Sequence, residues 1–173
     1  MKIAKPSPTK KKKHTILEGS HPQPSEDQPD LPNSETNEHH LQIVRNEKKL
    51  LEASRTGDLK SLVRLVTEEV ININCHDRHG ISPVHNAAFY GKVKSLQFLI
   101  DNAASVNMQD SNGCTPLHNA AIQNNPKCLK LLLDHYADVN EKDIDGNTAL
   151  HKAVYKGKEY CKSILSIKRK CGV

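Results

Sequence analysis

The sequence contains no tryptophan, and aromatic residues make up only 3% of its 173 positions. Such scarcity argues against a stacking platform for single-stranded nucleic acid. No stretch is as long and apolar as a membrane helix requires, and the mean hydropathy is −0.65. The lysines near the start are followed by prolines rather than by an apolar segment, which argues against a secretory signal. These absences predict a soluble intracellular protein.

Paired cysteines and a strong charge imbalance are also missing. The five cysteines are an odd number, and no two of them form a Cys-x-x-Cys pair. We therefore expect reduced structural thiols, no metal site and no cofactor. The formal charge is only +5, and basic residues are not concentrated in one block of the second half, so nucleic acid is not an expected partner.

Two regions of different composition are present. Residues 1–45 contain six of the nine prolines and few large apolar side chains. Such a segment cannot bury enough apolar surface to offset the entropy of ordering it, so we predict a disordered tail. From Glu47 onward, leucine and valine recur at helical spacing, which predicts a folded domain over residues 46–173.

The folded region repeats with a period of 33 residues. Columns of histidine, glycine and aspartate all keep this step, and so do columns of leucine, alanine and asparagine. Agreement across so many columns identifies a true repeat. The first three columns are His85, His118 and His151; Gly80, Gly113 and Gly146; and Asp77, Asp110 and Asp143.

Each unit carries the local signals of two short helices. An Asp-x-x-Gly sequence predicts a tight turn, and a Ser or Thr after it predicts a helix N-cap. Pro or Ala then suits the first helical turn. Neither the alanine-rich first helix nor the leucine-rich second helix can bury its apolar face alone, so neighbouring units are expected to stack.

These units resemble ankyrin repeats. Residues 110–142 contain G-C-T-P-L-H-N-A-A and end in A-D-V-N, as the family pattern does. The units beginning at Asp77 and Asp143 keep the pattern with substitutions, and a divergent unit precedes them. The resemblance implies an all-α solenoid of helix–turn–helix units with β-turn or hairpin tips, behind the disordered tail. The implied repeats span about 46–76, 77–109, 110–142 and 143–171.

No catalytic motif accompanies the repeat. The sequence has no phosphate loop, nucleophile elbow or zinc-protease helix. The three periodic histidines are expected to lie about 10 Å apart, one helix diameter, which is too far to share a zinc ion. The resemblance instead implies a structural role in which each histidine links turns by hydrogen bonds. We do not expect an enzyme.

The resemblance implies protein binding through a concave face made by the turn tips and first helices. We therefore expect a monomeric, non-catalytic adaptor or scaffold. Aromatic anchors are common at interfaces, but Phe89, Ile122 and Tyr155 could equally cover the neighbouring helix. The candidate contact residues are Arg78, His79, Ile81, Phe89, Tyr90, Asn112, Ile122, Gln123, Ile144, Asp145, Tyr155 and Lys156.

Two other roles remain open at this point. The chain is similar to four-repeat ankyrin inhibitors of cyclin-dependent kinases, which implies an inhibitor of a kinase or a transcription factor as one alternative. It could also be the targeting fragment of a larger ubiquitin-ligase or poly(ADP-ribose) polymerase type of protein. The sequence does not decide between a complete chain and a shortened isoform.

The predicted tail and the third unit contain three further signals. The run Lys10, Lys11, Lys12 and Lys13 predicts a nuclear import signal, with a solvated charge run as the alternative. We therefore expect the protein in the nucleus, the cytoplasm or both. Ser7 precedes a proline and resembles a proline-directed kinase site. Asn140 resembles ankyrin asparagines that an oxygen-dependent hydroxylase modifies, with a plain turn residue as the alternative.

Overall fold

The computed structural model describes residues 34–69 and 71–170. These ranges contain eight helices and no strand, which confirms the all-α prediction. The helices occur as four consecutive pairs, and the last three pairs lie within the predicted units, whereas α1 begins before the first one. They are α1 (Ser34–Thr56), α2 (Leu59–Glu68), α3 (Pro83–Phe89), α4 (Val93–Asp101), α5 (Pro116–Ile122), α6 (Pro126–Asp134), α7 (Ala149–Tyr155) and α8 (Glu159–Lys170).

Helix α1 corrects the predicted boundary of the tail. The sequence placed residues 1–45 in the tail, but α1 begins at Ser34 and continues through the apolar segment that contains Leu50. Pro32 is the last proline before the helix, and neither proline nor glycine occurs again until Gly57, so no breaker interrupts it. Residues 1–33, with the lysine run and Ser7, lie outside the described residues.

The eight helices form two layers. The first helices pack in the order α1, α3, α5 and α7, and the second helices pack in the order α2, α4, α6 and α8. Fully buried alanines such as Ala87 and Ala120 let the first helices approach closely. Fully buried leucines fill the space on the second-helix side, and each contributes roughly 1.5–3 kcal/mol through burial. These leucines are Leu62, Leu65, Leu96, Leu99, Leu129, Leu132 and Leu165.

A histidine closes the start of each regular first helix. In the second unit the cap is Ser82. The backbone N–H of Ser82 donates a hydrogen bond to Nδ1 of His85 at 3.2 Å. Thr115 and His118 repeat this contact at 3.1 Å, and the fourth unit repeats it again. The predicted N-caps are therefore confirmed, with the histidine as the reciprocal partner three residues later.

The other ring nitrogen of the histidine joins neighbouring units. Nε2 of His85 donates to the backbone carbonyl of Cys114 at 3.0 Å, and Nε2 of His118 donates to that of Asn147 at 3.0 Å. This confirms the predicted link between turns for His85 and His118, whereas the ring of His151, among the described residues, makes hydrogen bonds only with the cap of its own helix. Because Nδ1 accepts and Nε2 donates, both rings fit this arrangement only as neutral imidazoles.

These contacts predict a pH dependence of stability. Burial lowers the pKa of His85 and His118 below the usual value, even though the carbonyls that they contact raise it. Histidines of the unfolded chain have pKa values of about 6.5. Around this pH the unfolded chain therefore binds more protons than the folded chain. The free energy of unfolding should be greatest above that pH and fall as the pH falls through it.

Urea unfolding between pH 7.5 and pH 5.5 at constant ionic strength would measure this loss. Each buried histidine contributes a slope of at most about 1.4 kcal/mol per pH unit. The variant His118→Gln should give a flatter profile than the wild type, since one of the two groups is removed. A profile that is flat in the wild type would contradict the prediction.

Aspartates organise the turn tips. Oδ1 of Asp77 accepts from the backbone N–H groups of His79 and Ile81 at 2.8 and 3.0 Å, and Gly80 N–H donates to the Asp77 carbonyl at 2.9 Å. Asp110 and Asp143 repeat the pattern. The predicted β-turns are thus confirmed.

Backbone and side-chain hydrogen bonds connect one tip to the next. The N–H of Ser111 donates to the carbonyl of His79 at 2.9 Å, and the N–H of Ile144 donates to that of Asn112 at 3.0 Å. The tips of the three regular units therefore form a continuous edge. Beyond the tips, Oδ1 of Asn107 in the second unit accepts from the N–H of Asp138 in the third unit at 3.0 Å.

The third unit departs from the pattern between its two helices. Asn124 adopts φ 59°, in the left-handed region that Gly91 and Gly157 occupy in the neighbouring units. Asparagine tolerates this conformation better than most residues, so the turn is kept. Nδ2 of Asn125 donates to the carbonyls of Ala88 and Phe89 at 2.9 and 2.7 Å, which ties the third unit to the second.

The described cysteines are free and mostly buried. Burial raises the pKa of the Cys75 thiol to about 12 and that of the Cys128 thiol to about 11, so both are poor nucleophiles. Across residues 34–69 and 71–170, no cluster of His, Cys, Asp or Glu is arranged to hold a metal ion. Within the same ranges, no helix is both long and apolar enough to span a bilayer.

Candidate binding groove

A groove of about 560 Å³ lies between helix α1 and the tips of the second and third units. We call it the concave groove. Its residues come from α1, from two tips and from the first helices α3 and α5. They are Lys48, Leu51, Glu52, Arg55, Asp77, Ile81, His85, Asn86, Phe89, Tyr90, Asp110 and Asn119.

The end of α3 contributes two adjacent aromatic rings. The rings of Phe89 and Tyr90 meet edge to face, with centroids 5.0 Å apart. Phe89 is half-buried, whereas 45% of Tyr90 is exposed. The guanidinium of Arg55 lies 5.7 Å from the centroid of the Tyr90 ring, within the range of a cation–π contact. Tyr90 therefore offers an aromatic surface held by neighbours on two elements.

Helix α1 supplies a charged wall. Arg55 donates two hydrogen bonds to the carboxylate of Glu52, at 2.6 and 2.8 Å. These bonds lower the pKa of Glu52 and raise that of Arg55, so both stay charged at neutral pH. The two charges balance each other. Lys48, one turn earlier on the same helix face, is exposed and has no carboxylate within ion-pair distance among the described residues.

The tips supply two half-buried carboxylates on the opposite wall. Oδ1 of Asp77 and Oδ1 of Asp110 are used by the turns. Oδ2 of each residue makes no hydrogen bond with the described residues. Every fully buried side-chain oxygen or nitrogen in the described ranges has a hydrogen-bond partner. Neither Oδ2 atom is therefore fully buried, and because both residues line the groove, these oxygens can accept hydrogen bonds from a ligand there.

The residues predicted from the sequence divide between the groove and other surfaces. Ile81, Phe89 and Tyr90 line the groove. The other nine do not line it. Arg78, His79 and Asn112 are exposed on the tips of the second and third units. At the end of α5, Ile122 is half-buried and Gln123 is exposed. The exposed residues of the fourth unit are Ile144, Asp145, Tyr155 and Lys156.

Sequence reasoning missed the contribution of α1. Lys48, Leu51, Glu52 and Arg55 follow the i, i+3, i+4, i+7 spacing of one helix face. The sequence contained a signal for Arg55. A step of 34 residues between the first two units aligns Arg55 with Phe89, which was a candidate contact residue. The opening unit lacks the Asp-x-x-Gly tip, and for that reason it contributed no candidate.

Asn140 lies on a different surface. It is exposed, and its backbone N–H donates to Oδ1 of Asp138 at 2.8 Å in a tight turn. Asn107 and Tyr136 border the same shallow cavity of about 410 Å³. Hydroxylation of Asn140 stays a prediction.

A comparison with protein-family models gives one match over the folded region. The model described as "Ankyrin repeats (3 copies)" matches residues 50–143 and, in a second overlapping placement, residues 106–172. Together the two placements include every regular unit and most of the opening one.

Proposed function

The chain belongs to the ankyrin repeat family, and from this premise we propose that it is a non-catalytic adaptor that holds another protein in its concave groove. Ankyrin repeats are protein–protein interaction domains and are generally non-catalytic. The single observation that carries the proposal is the exposed ring of Tyr90 beside Phe89 in a groove of about 560 Å³. Aromatic side chains held in such a position are typical anchors of protein interfaces.

The absence of catalysis is part of this proposal. His85, the histidine that lines the groove, already uses both ring nitrogens in hydrogen bonds within the chain. The buried thiols have raised pKa values and are protonated at neutral pH. The groove therefore offers surface complementarity rather than a reactive group.

The exposed tyrosines provide a matched test. Tyr90 lines the groove, whereas Tyr136 is 82% exposed and lies outside it. We expect Tyr90→Ala to weaken binding of the main partner by at least 10-fold, the loss typical of an interface anchor. Tyr136→Ala should change binding by less than 2-fold. The full chain would be used as bait in cell lysate, and the affinity of the recovered partner would be measured by calorimetry.

The outcomes separate the possible roles. Loss of binding in Tyr136→Ala but not in Tyr90→Ala would contradict the proposal. Tyr155→Ala shows whether the fourth unit, where 84% of Tyr155 is exposed, also contacts the partner. Recovery of a kinase whose activity the chain suppresses would indicate an inhibitor instead of an adaptor.

We also propose that the protein reaches the nucleus as well as the cytoplasm. The support is the run from Lys10 to Lys13, which lies outside the described residues. Replacing all four lysines by glutamine should lower the nuclear fraction of a fluorescent fusion of the full chain. An unchanged nuclear fraction would refute the import signal.

A further inference from the structure

We propose that the concave groove selects a protein segment with two basic side chains, one seated at Asp77 and the other at Asp110. The inference rests on the proposed function and names the chemistry of the partner. Each carboxylate lines the groove and uses Oδ1 to hold its own turn, whereas its Oδ2 is not fully buried and makes no hydrogen bond with the described residues. A lysine or arginine can therefore bind without disturbing the tip.

The fourth unit contains the proposed contact within the chain itself. There Nζ of Lys152 forms an ion pair with Oδ2 of Asp143, whereas the equivalent oxygen in the other two units has no hydrogen-bond partner among the described residues. The same ammonium lies 3.8 Å from Oδ2 of Asp145. This pair shows that the position beside the tip accepts a cation while Oδ1 continues to hold the turn.

The second and third units lack this internal cation. The residues at the register of Lys152 are Asn86 and Asn119, which are neutral and line the groove. Among the described residues, no Lys, Arg or His lies within ion-pair distance of Asp77 or Asp110. Neither asparagine can neutralise the tip carboxylate, so the charge that Lys152 balances in the fourth unit is unbalanced in the other two.

The charges around the groove give the segment an orientation. Among the residues that line the groove, the pair of Glu52 and Arg55 is balanced, so the remaining charges are Asp77 and Asp110 on the tip side and Lys48 on α1. Basic side chains of a partner are attracted to the tips and repelled by α1. The apolar side chains of the segment then face Phe89 and Tyr90 between the two walls.

The repeat spacing sets the spacing of the two basic residues. Equivalent positions of adjacent units lie about 10 Å apart, one helix diameter. A polyproline II segment advances about 3.1 Å per residue and returns to the same face every third residue. Basic residues at positions i and i+3 of such a segment therefore match Asp77 and Asp110.

A selection with phage-displayed random dodecapeptides on the immobilised full chain tests this inference. We expect the enriched peptides to carry Lys or Arg at positions i and i+3. Their retention should fall at least 10-fold on the double variant Asp77→Asn and Asp110→Asn, which keeps an oxygen for each turn but removes the charge. Circular dichroism would verify that the double variant is folded.

Two single variants serve as controls. Asp143→Asn should change retention by less than 2-fold, because that carboxylate is already occupied by Lys152. Lys48→Gln should leave retention unchanged or raise it up to about 3-fold, since it removes a repulsive charge from the α1 wall. A loss on Lys48→Gln as large as on the double variant would overturn the proposed orientation.

The remaining outcomes separate this inference from the proposed function. Enriched peptides that lack basic pairs, or that the double variant retains equally, overturn the inference. If those peptides are still lost on Tyr90→Ala, the groove binds protein by other chemistry and the proposed function stands. If neither change affects them, both proposals fail. A selection that yields no enriched peptide also overturns the inference.

Discussion

The variant His118→Ala is expected to lose about 3–4 kcal/mol of unfolding free energy, because it removes a buried side chain with contacts to two units. Nδ1 of His118 accepts from the N–H of Thr115, and Nε2 donates to the carbonyl of Asn147. Alanine would leave a cavity and two backbone groups without their partners. Urea unfolding followed by circular dichroism would measure the loss.

His151 provides the matched control for this prediction. It occupies the same register and accepts from the N–H of Thr148 at 3.1 Å, but it is exposed, and its Nε2 makes no hydrogen bond with a described residue. His151→Ala should therefore cost only about 1 kcal/mol, the value of a capping contact. Equal losses in the two variants would show that the bond between units contributes little to stability.

The variant Gly113→Ala is expected to lose about 3 kcal/mol, for two separate reasons. Gly113 has φ 70°, a conformation that costs an alanine roughly 1–2 kcal/mol. In addition, an added Cβ would lie 3.0 Å from the backbone nitrogen of Ile144 and 3.1 Å from Cα of Asp143. Backbone atoms cannot move aside as a flexible side chain can, so the contact between tips must open.

The variant Gly146→Ala is a control that has the conformational cost but not the steric contact. Its φ is 78°, but a Cβ added there meets no atom within 4 Å. Gly146→Ala should therefore lower the free energy of unfolding by only about 1–2 kcal/mol, the conformational cost. The difference between the two variants in thermal or urea unfolding measures the tip contact alone. A Gly113→Ala protein as stable as Gly146→Ala would mean that the tips move apart without cost.

Both predictions concern contacts between the third and fourth units, and the equivalent contacts between the second and third units border the concave groove. Asp77 and Asp110 line the same groove because α3 packs against α5 and because the bond from Ser111 to the carbonyl of His79 joins the two tips. A substitution that opens this edge should disturb a ligand that spans both carboxylates. Stability and binding are therefore coupled in this protein through the spacing of its units.

The periodic features were predictable because they depend on short-range sequence. The histidine, the cap residue and the tip aspartate recur in a fixed order, and each makes its contacts within its own unit or with the next one. The beginning of α1 was not predictable in this way. Residues 34–45 are mostly polar and lack apolar periodicity, so hydrophobic pattern alone did not identify them as helical.

The sequence by itself determined the repeat, its turn chemistry and its histidine links, because those follow from local spacing that is copied from unit to unit. Only the tertiary structure decided which exposed residues share one surface. Arg55 and Asp110 are far apart in the chain, and they line one groove because stacking brings α1 opposite the tips. Tyr155 was predicted by the same positional rule as Phe89, and Ile144 as a residue of a turn tip, yet neither lines that groove because its lining comes only from the first three units.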